Sequence, residues 1–95
     1  LFQENMIERK TMEDFKNCVW QFLNQEKGQS ILIDEIKWEE NFFHEGYIDS
    51  LGFYNLLVYL EEMLSVKLPL SKIMEEFPLT FSDMYKTILT SAESS

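Results

Sequence analysis

Residues 50–64, Ser-Leu-Gly-Phe-Tyr-Asn-Leu-Leu-Val-Tyr-Leu-Glu-Glu-Met-Leu, constrain the fold of this 95-residue chain more than any other stretch. Set 100° apart on a helical wheel, Phe53, Leu56, Leu57, Leu60 and Leu64 fall within about a third of the circumference. Burying each such side chain is worth roughly 1.5–3 kcal/mol, so this face must turn to a core. Leu51, Tyr54, Asn55, Val58 and Glu62 gather on the opposite side, with Glu61 at its margin. Scattered exposed apolar residues are ordinary on any surface, and a helix apolar all round can simply be more buried. A mixed apolar and acidic strip is better explained as a docking surface. Tyr54 and Val58 would supply desolvated contact, and the carboxylates would orient a basic partner.

The other periodic segments also read as helices. Met12, Phe15, Val19, Phe22 and Leu23 keep the 3, 4 and 7 spacing of one buried face, predicting a helix from about Thr11 to Lys27. Thr11 with Asp14 approximates a capping box, and Gly28 is a stop. Ser71 to Glu76 reads as a short helix closed by Pro78. Thr80 with Asp83 starts the last helix, whose apolar face is Phe81, Met84, Tyr85, Ile88 and Leu89. Between the first two helices, Gln29 to Ile48 would be an ordered loop anchored by Ile31, Ile33, Ile36, Trp38, Phe42 and Phe43, with room for one helical turn. The expected fold is all-α: a four-helix bundle with a short third helix and a long loop between helices 1 and 2. Residues 1–10 read as an N-terminal extension, in part a cloning remnant, residues 11–90 as the domain, and 91–95 as a flexible tail.

Composition narrows the function classes. A net charge of −9 opposes nucleic-acid binding, which needs clustered Lys and Arg. The single Cys18 excludes an internal disulfide framework and fits a reducing compartment. Beside the first apolar stripe it reads as an inert, packed thiol. No stretch is long and apolar enough to span a bilayer, and no signal-peptide core begins the chain. A soluble, cytoplasmic monomer is expected.

The remaining signal is Asp49-Ser50-Leu51, where the loop meets the second helix. A serine there is ordinarily a cap, because its hydroxyl satisfies an orphan N–H. This one is approached by Phe42-Phe43-His44-Glu45-Gly46-Tyr47-Ile48, and six carboxylates (Glu39, Glu40, Glu45, Asp49, Glu61, Glu62) lie between Trp38 and Val66 with no lysine or arginine. Together, Asp49-Ser50-Leu51, Gly46-Tyr47-Ile48, Glu61-Glu62-Met63-Leu64 and Leu68-Pro69 resemble the acyl carrier protein family over roughly Met12 to Leu89.

That resemblance implies 4'-phosphopantetheine, donated by coenzyme A through a phosphopantetheinyl transferase, on Ser50. The arm's thiol would hold an acyl group as a thioester, and the domain itself would not be an enzyme. Asp49 would be read by the transferase and cap locally. Leu51, Tyr54, Asn55, Val58, Glu61 and Glu62 would meet acyl- or aminoacyl-loading and acyl-processing enzymes with basic docking patches. Fatty-acid carriers commonly have Val-Glu where Tyr54-Asn55 stand here, and Leu70 to Thr80 also departs from their pattern. These differences favour a free-standing carrier in a specialised pathway of the fatty acid or polyketide kind. An aminoacyl or D-alanyl carrier loaded by an adenylating enzyme is the rival within carriers. An acidic helical adaptor with no prosthetic group is the rival outside them.

Other signals weigh less. His44, the only histidine, with one distant cysteine makes no credible metal site. A Ser50–His44 hydrolytic pair oriented by Asp49 or Glu45 lacks the Gly-x-Ser-x-Gly elbow. The pairs Glu39-Glu40, Glu61-Glu62 and Glu75-Glu76 read as solvated faces without calcium-loop spacing.

Overall fold

The structure, a computed structural model, describes the backbone of residues 2–94 and the side chains of residues 12–90. Four helices follow one another: α1 (Phe2–Gln21), α2 (Ser50–Leu64), α3 (Leu70–Glu76) and α4 (Phe81–Ser94). No strand forms among the described residues; a single bridge pairs Asn41 with Thr80. The all-α bundle expected from periodicity is the fold observed.

The start of α1 differs from expectation. The helix passes through Thr11 without a break, so Thr11–Asp14 is not a capping box, and residues 2–10 belong to α1. The physical reason is propensity: Phe2 to Lys10 holds no glycine or proline and is rich in Gln, Glu, Met, Arg and Lys. At its other end α1 widens into one π-helical turn, Phe22–Glu26, in which the Lys27 N–H reaches the Phe22 carbonyl at 3.1 Å. Gly28 then takes φ +70°, and the Gln29 N–H closes on the Leu23 carbonyl at 3.0 Å. Gly28 is the stop because a left-handed residue ends the helix most cheaply without a Cβ.

The core is built from the expected faces. Phe15, Val19, Phe22 and Leu23 of α1 and its π-turn, Phe53, Leu56, Leu57 and Leu60 of α2, Ile73 of α3, and Phe81, Met84, Tyr85 and Ile88 of α4 are all buried. The long loop joins them: Ile36, Phe42, Tyr47 and Ile48 are buried, and Ile31, Trp38 and Phe43 pack against the same cluster. Phe42 is fully buried, its ring centroid 5.0 Å from Phe81 and 5.8 Å from Phe53. A short 3-10 turn, Ile33–Glu35, is the one helical turn in the loop.

Hydrogen bonds fix the loop's course. The Trp20 indole N–H donates to the Ile31 carbonyl at 2.7 Å, and the Ile31 N–H donates to Asn24 Oδ1 at 2.8 Å. Gln29 Nε2 donates to the Tyr47 carbonyl at 2.8 Å, while the Lys37 N–H donates to Tyr47 Oη at 3.0 Å. The Phe42 N–H donates to the Leu79 carbonyl at 2.9 Å, and the Ser82 N–H to the Trp38 carbonyl at 3.0 Å. Tyr47 and Ile48, read from sequence only as part of the approach to Ser50, are themselves core anchors. The Asp49–Ser50 turn is therefore attached directly to the core.

Candidate functional site

Asp49 and Ser50 are both exposed, and the structure divides their roles. Asp49, not Ser50, is the N-cap of α2: its Oδ1 accepts from the Gly52 N–H at 2.7 Å, and its carbonyl accepts from the Phe53 N–H at 2.8 Å. The Gly52 N–H outweighs desolvation and holds the Asp49 carboxyl below its ordinary value, with a lesser contribution from Lys27. Ser50 is the first helical residue, and its hydroxyl engages no partner among the described residues. A serine at a helix start is ordinarily the cap, but here the local cap is Asp49. Either residue type caps well, and the Asp-to-Gly52 hydrogen bond decided between them.

Lys27 is the residue that sequence reading missed here. Its ammonium lies over the first turn of α2, 3.5 Å from where a Cβ on Gly52 would stand. Asp49 Oδ1 and Ile48 Cβ approach that same point to 3.0 and 3.2 Å, so Gly52 keeps the turn open. No lysine or arginine lies between Trp38 and Val66, yet Lys27, just beyond the π-turn that ends α1, brings a cation to the first turn of α2. Nothing in the local pattern signals this, because the proximity is set by how α1 packs on α2.

The outward strip of α2 is placed as expected for four of its six residues. Leu51, Tyr54, Asn55 and Glu62 are exposed, Val58 and Glu61 half-buried. Among the described residues Leu51 is the most solvent-open of the large apolar side chains, at 68%. Tyr54, Asn55, Val58 and Glu62 form one wall of an open cleft of about 510 Å³. The other wall is Phe22, Glu26 and Lys27 of the π-turn segment, with Tyr59 on the floor. Phe22 and Tyr59 pack ring against ring at 5.4 Å, and Tyr59 Oη donates to Gln21 Oε1 at 3.3 Å. Burial, Cys18 and Glu26 push the Tyr59 phenol up, so it stays protonated. Neither Leu51 nor Glu61 lines this cleft.

The carboxylates are less available than their number implies. Glu61 Oε2 accepts from the Leu68 N–H at 2.7 Å and ties the α2–α3 connection. Glu45 pairs with Lys37 at 3.4 Å, and Glu39 accepts from the Ser82 hydroxyl at 2.6 Å. With Asp49 capping, only Glu40 and Glu62 of the six remain uncommitted among the described residues. Glu62 is thus the uncommitted carboxylate on the outward strip of α2.

The weaker signals resolve simply. His44 is exposed at the loop tip, where its backbone N–H donates to Asn41 Oδ1 at 3.2 Å, and no hydrogen bond joins it to Ser50 among the described residues. No cluster of His, Cys, Asp or Glu among the described residues has metal-site geometry. Cys18 is buried, and burial together with Asp14 pushes its thiol up, which disfavours the nucleophilic thiolate. Among the described residues, no helix is long and apolar enough to cross a membrane.

A family model described as a phosphopantetheine attachment site matches residues 30–86, well over half of the chain. No curated protein and no solved structure matches significantly.

Proposed function

The chain belongs to the phosphopantetheine attachment-site family and is a phosphopantetheine-bearing carrier, and on that footing we propose that Ser50 is the attachment residue. The observation that carries this is the division of labour at the start of α2. Asp49 caps the helix, so the exposed Ser50 hydroxyl is left without a structural task. The surroundings fit a phosphodiester: the unpaired N–H groups and dipole of the first turn favour a negative group, and Lys27 adds a positive charge. Asp49 opposes it by charge, and its hydrogen bond from Gly52 and its closeness to Lys27 temper that opposition.

In this reading the domain catalyses nothing and acts as a substrate of other enzymes. Transfer from coenzyme A forms the Ser50 Oγ–phosphorus bond and breaks the pyrophosphate bond, adenosine bisphosphate leaving and the hydroxyl proton passing to a base of the transferase. The arm supplies a terminal thiol on which an acyl cargo is held as a thioester. Tethering raises the cargo's effective concentration at each partner's active site. Leu51, Tyr54, Asn55, Val58 and Glu62 would form the partner-facing strip, with Glu61 holding its end in place. Glu62 would steer basic partners, and a modest contact area would let them exchange.

The test is intact mass after incubation with coenzyme A and a broad-specificity phosphopantetheinyl transferase. The wild type should gain one phosphopantetheine and Ser50→Ala none. Because Ser50 is not the cap, Ser50→Ala should stay folded, which far-UV circular dichroism checks. A gain that persists in Ser50→Ala refutes the assignment. Loading the modified protein with acyl-transferring or adenylating enzymes then separates an acyl from an aminoacyl or D-alanyl cargo.

A further inference from the structure

The cleft between the π-turn segment and α2 runs from Lys27, whose ammonium lies over the first turn of α2 at Gly52, along α2 to Glu62. Its chemistry is mixed: a cation at one end, the Asn55 carboxamide and Tyr54 along one side, Phe22 and Val58 as apolar patches, and more polar than apolar lining in all. A hydrocarbon chain would be poorly matched to such a surface. A pantetheine arm is well matched, since it presents an anion, a branched apolar segment, a hydroxyl and two amides in succession.

Length agrees as well. From Ser50 to Glu62 α2 rises about 18 Å, at 1.5 Å per residue. The arm's main chain equals about five extended peptide units, or about 17 Å. The flank of α2 toward α3 is filled instead, Phe53 lying 4.9 Å from Phe77 and Phe43 stacking on Phe77 at 5.6 Å. Another cleft, bounded by Phe15, Lys16, Trp38 and Phe81, includes no residue of α2.

We propose that the cleft between the α1 π-turn and α2 is the resting berth of the protein's own phosphopantetheine arm, with Lys27 as the positioning residue for its phosphodiester. This rests on Ser50 being the attachment residue. The arm would lie along the strip that partners must contact, so a docking enzyme would displace the arm as it binds. Carrier recognition and release of the arm would be one event.

The experiment compares apo and modified protein by amide NMR, after intact mass has confirmed the modification. The berth predicts that shifts extend past the first turn of α2 to Val58 and Tyr59, and across to Phe22 and Glu26. The arm's thiol should also react with a maleimide more slowly in the wild type than in Lys27→Gln, by about two- to fivefold, the range of one exposed charge pair. Apo protein supplies the background from Cys18. Lys27→Arg should restore the wild-type rate, and apo Lys27→Gln should melt with the wild type. No mass gain overturns the Ser50 reading and the berth with it. A mass gain with shifts confined to residues 48–53, or a thiol rate that Lys27→Gln leaves unchanged, overturns the berth alone.

Discussion

Phe42 tests whether the long loop is part of the core or a mere connection. Its ring is fully buried and lies 4.8 Å from Phe43, 5.0 Å from Phe81 and 5.8 Å from Phe53, centroid to centroid. Phe42→Ala removes that volume from a site closed on all sides, where such truncations cost about 3–5 kcal/mol. For a 95-residue chain the unfolding entropy near the midpoint is about 0.2 kcal/mol/K, so the melting temperature should fall by about 15–25 °C. That is a large share of a total stability of about 5–15 kcal/mol. Thermal and urea denaturation followed by circular dichroism would measure it. Glu40→Ala, at an exposed loop position, should change stability by no more than about 0.5 kcal/mol. The Phe42 carbonyl also accepts from the Tyr47 N–H at 3.0 Å, so the truncation should loosen the approach to Ser50 and slow its modification. A fall under about 5 °C for Phe42→Ala would refute the claim that the loop is core.

Four further outcomes follow from the geometry. Asp49→Ala should lower the melting temperature while Ser50→Ala leaves it unchanged, the reverse of what a serine cap would give. Because the Asp49 carboxyl titrates below its ordinary value, its stabilisation is complete above about pH 4 and is lost as pH falls through the folded value; Asp49→Asn should keep the cap and flatten that acid limb in melts against pH. Gly28→Ala has open space around the new methyl but must hold φ +70°, so urea titration should show a loss of about 1–2 kcal/mol. Glu62→Lys should leave the melting temperature unchanged and slow turnover by a basic partner enzyme, whereas Glu61→Ala should destabilise the fold because the Leu68 N–H loses its acceptor.

What the chain disclosed in advance was what local chemistry decides. The limits of α2 were legible because its core face is uninterrupted and Pro69 bars continuation, whereas the left-handed stop at Ser65 was not. The Thr80 cap was legible because its hydroxyl reaches only to Asp83, where it accepts that N–H at 3.0 Å. The same kind of signal misled at Thr11. A capping pattern is a weak local preference, and an unbroken run of helix formers upstream outweighed it. Lys27 beside Asp49, the Phe22–Tyr59 ring contact in the cleft and the bond from Leu68 to Glu61 were not legible. Each depends on the distance between segments that only packing fixes.

The order Asp49 then Ser50 has a physical logic that neither residue has alone. An attachment residue at the N-cap would have to choose between its structural hydrogen bond and its modification, and the helix start would fray whenever the group was added. With the aspartate capping, the first turn is fixed before and after modification, and the adjacent hydroxyl projects from a rigid base. The cost is a carboxylate beside a phosphate. The Gly52 N–H chiefly holds the Asp49 carboxyl below the ordinary value, Lys27 adds a lesser attraction, and its ammonium lies over the same turn of α2. With Ser50 as the proposed attachment residue, capping, attachment and charge compensation would fall on three different side chains. Removing Lys27 should then leave the helix intact and change only how closely the arm is held.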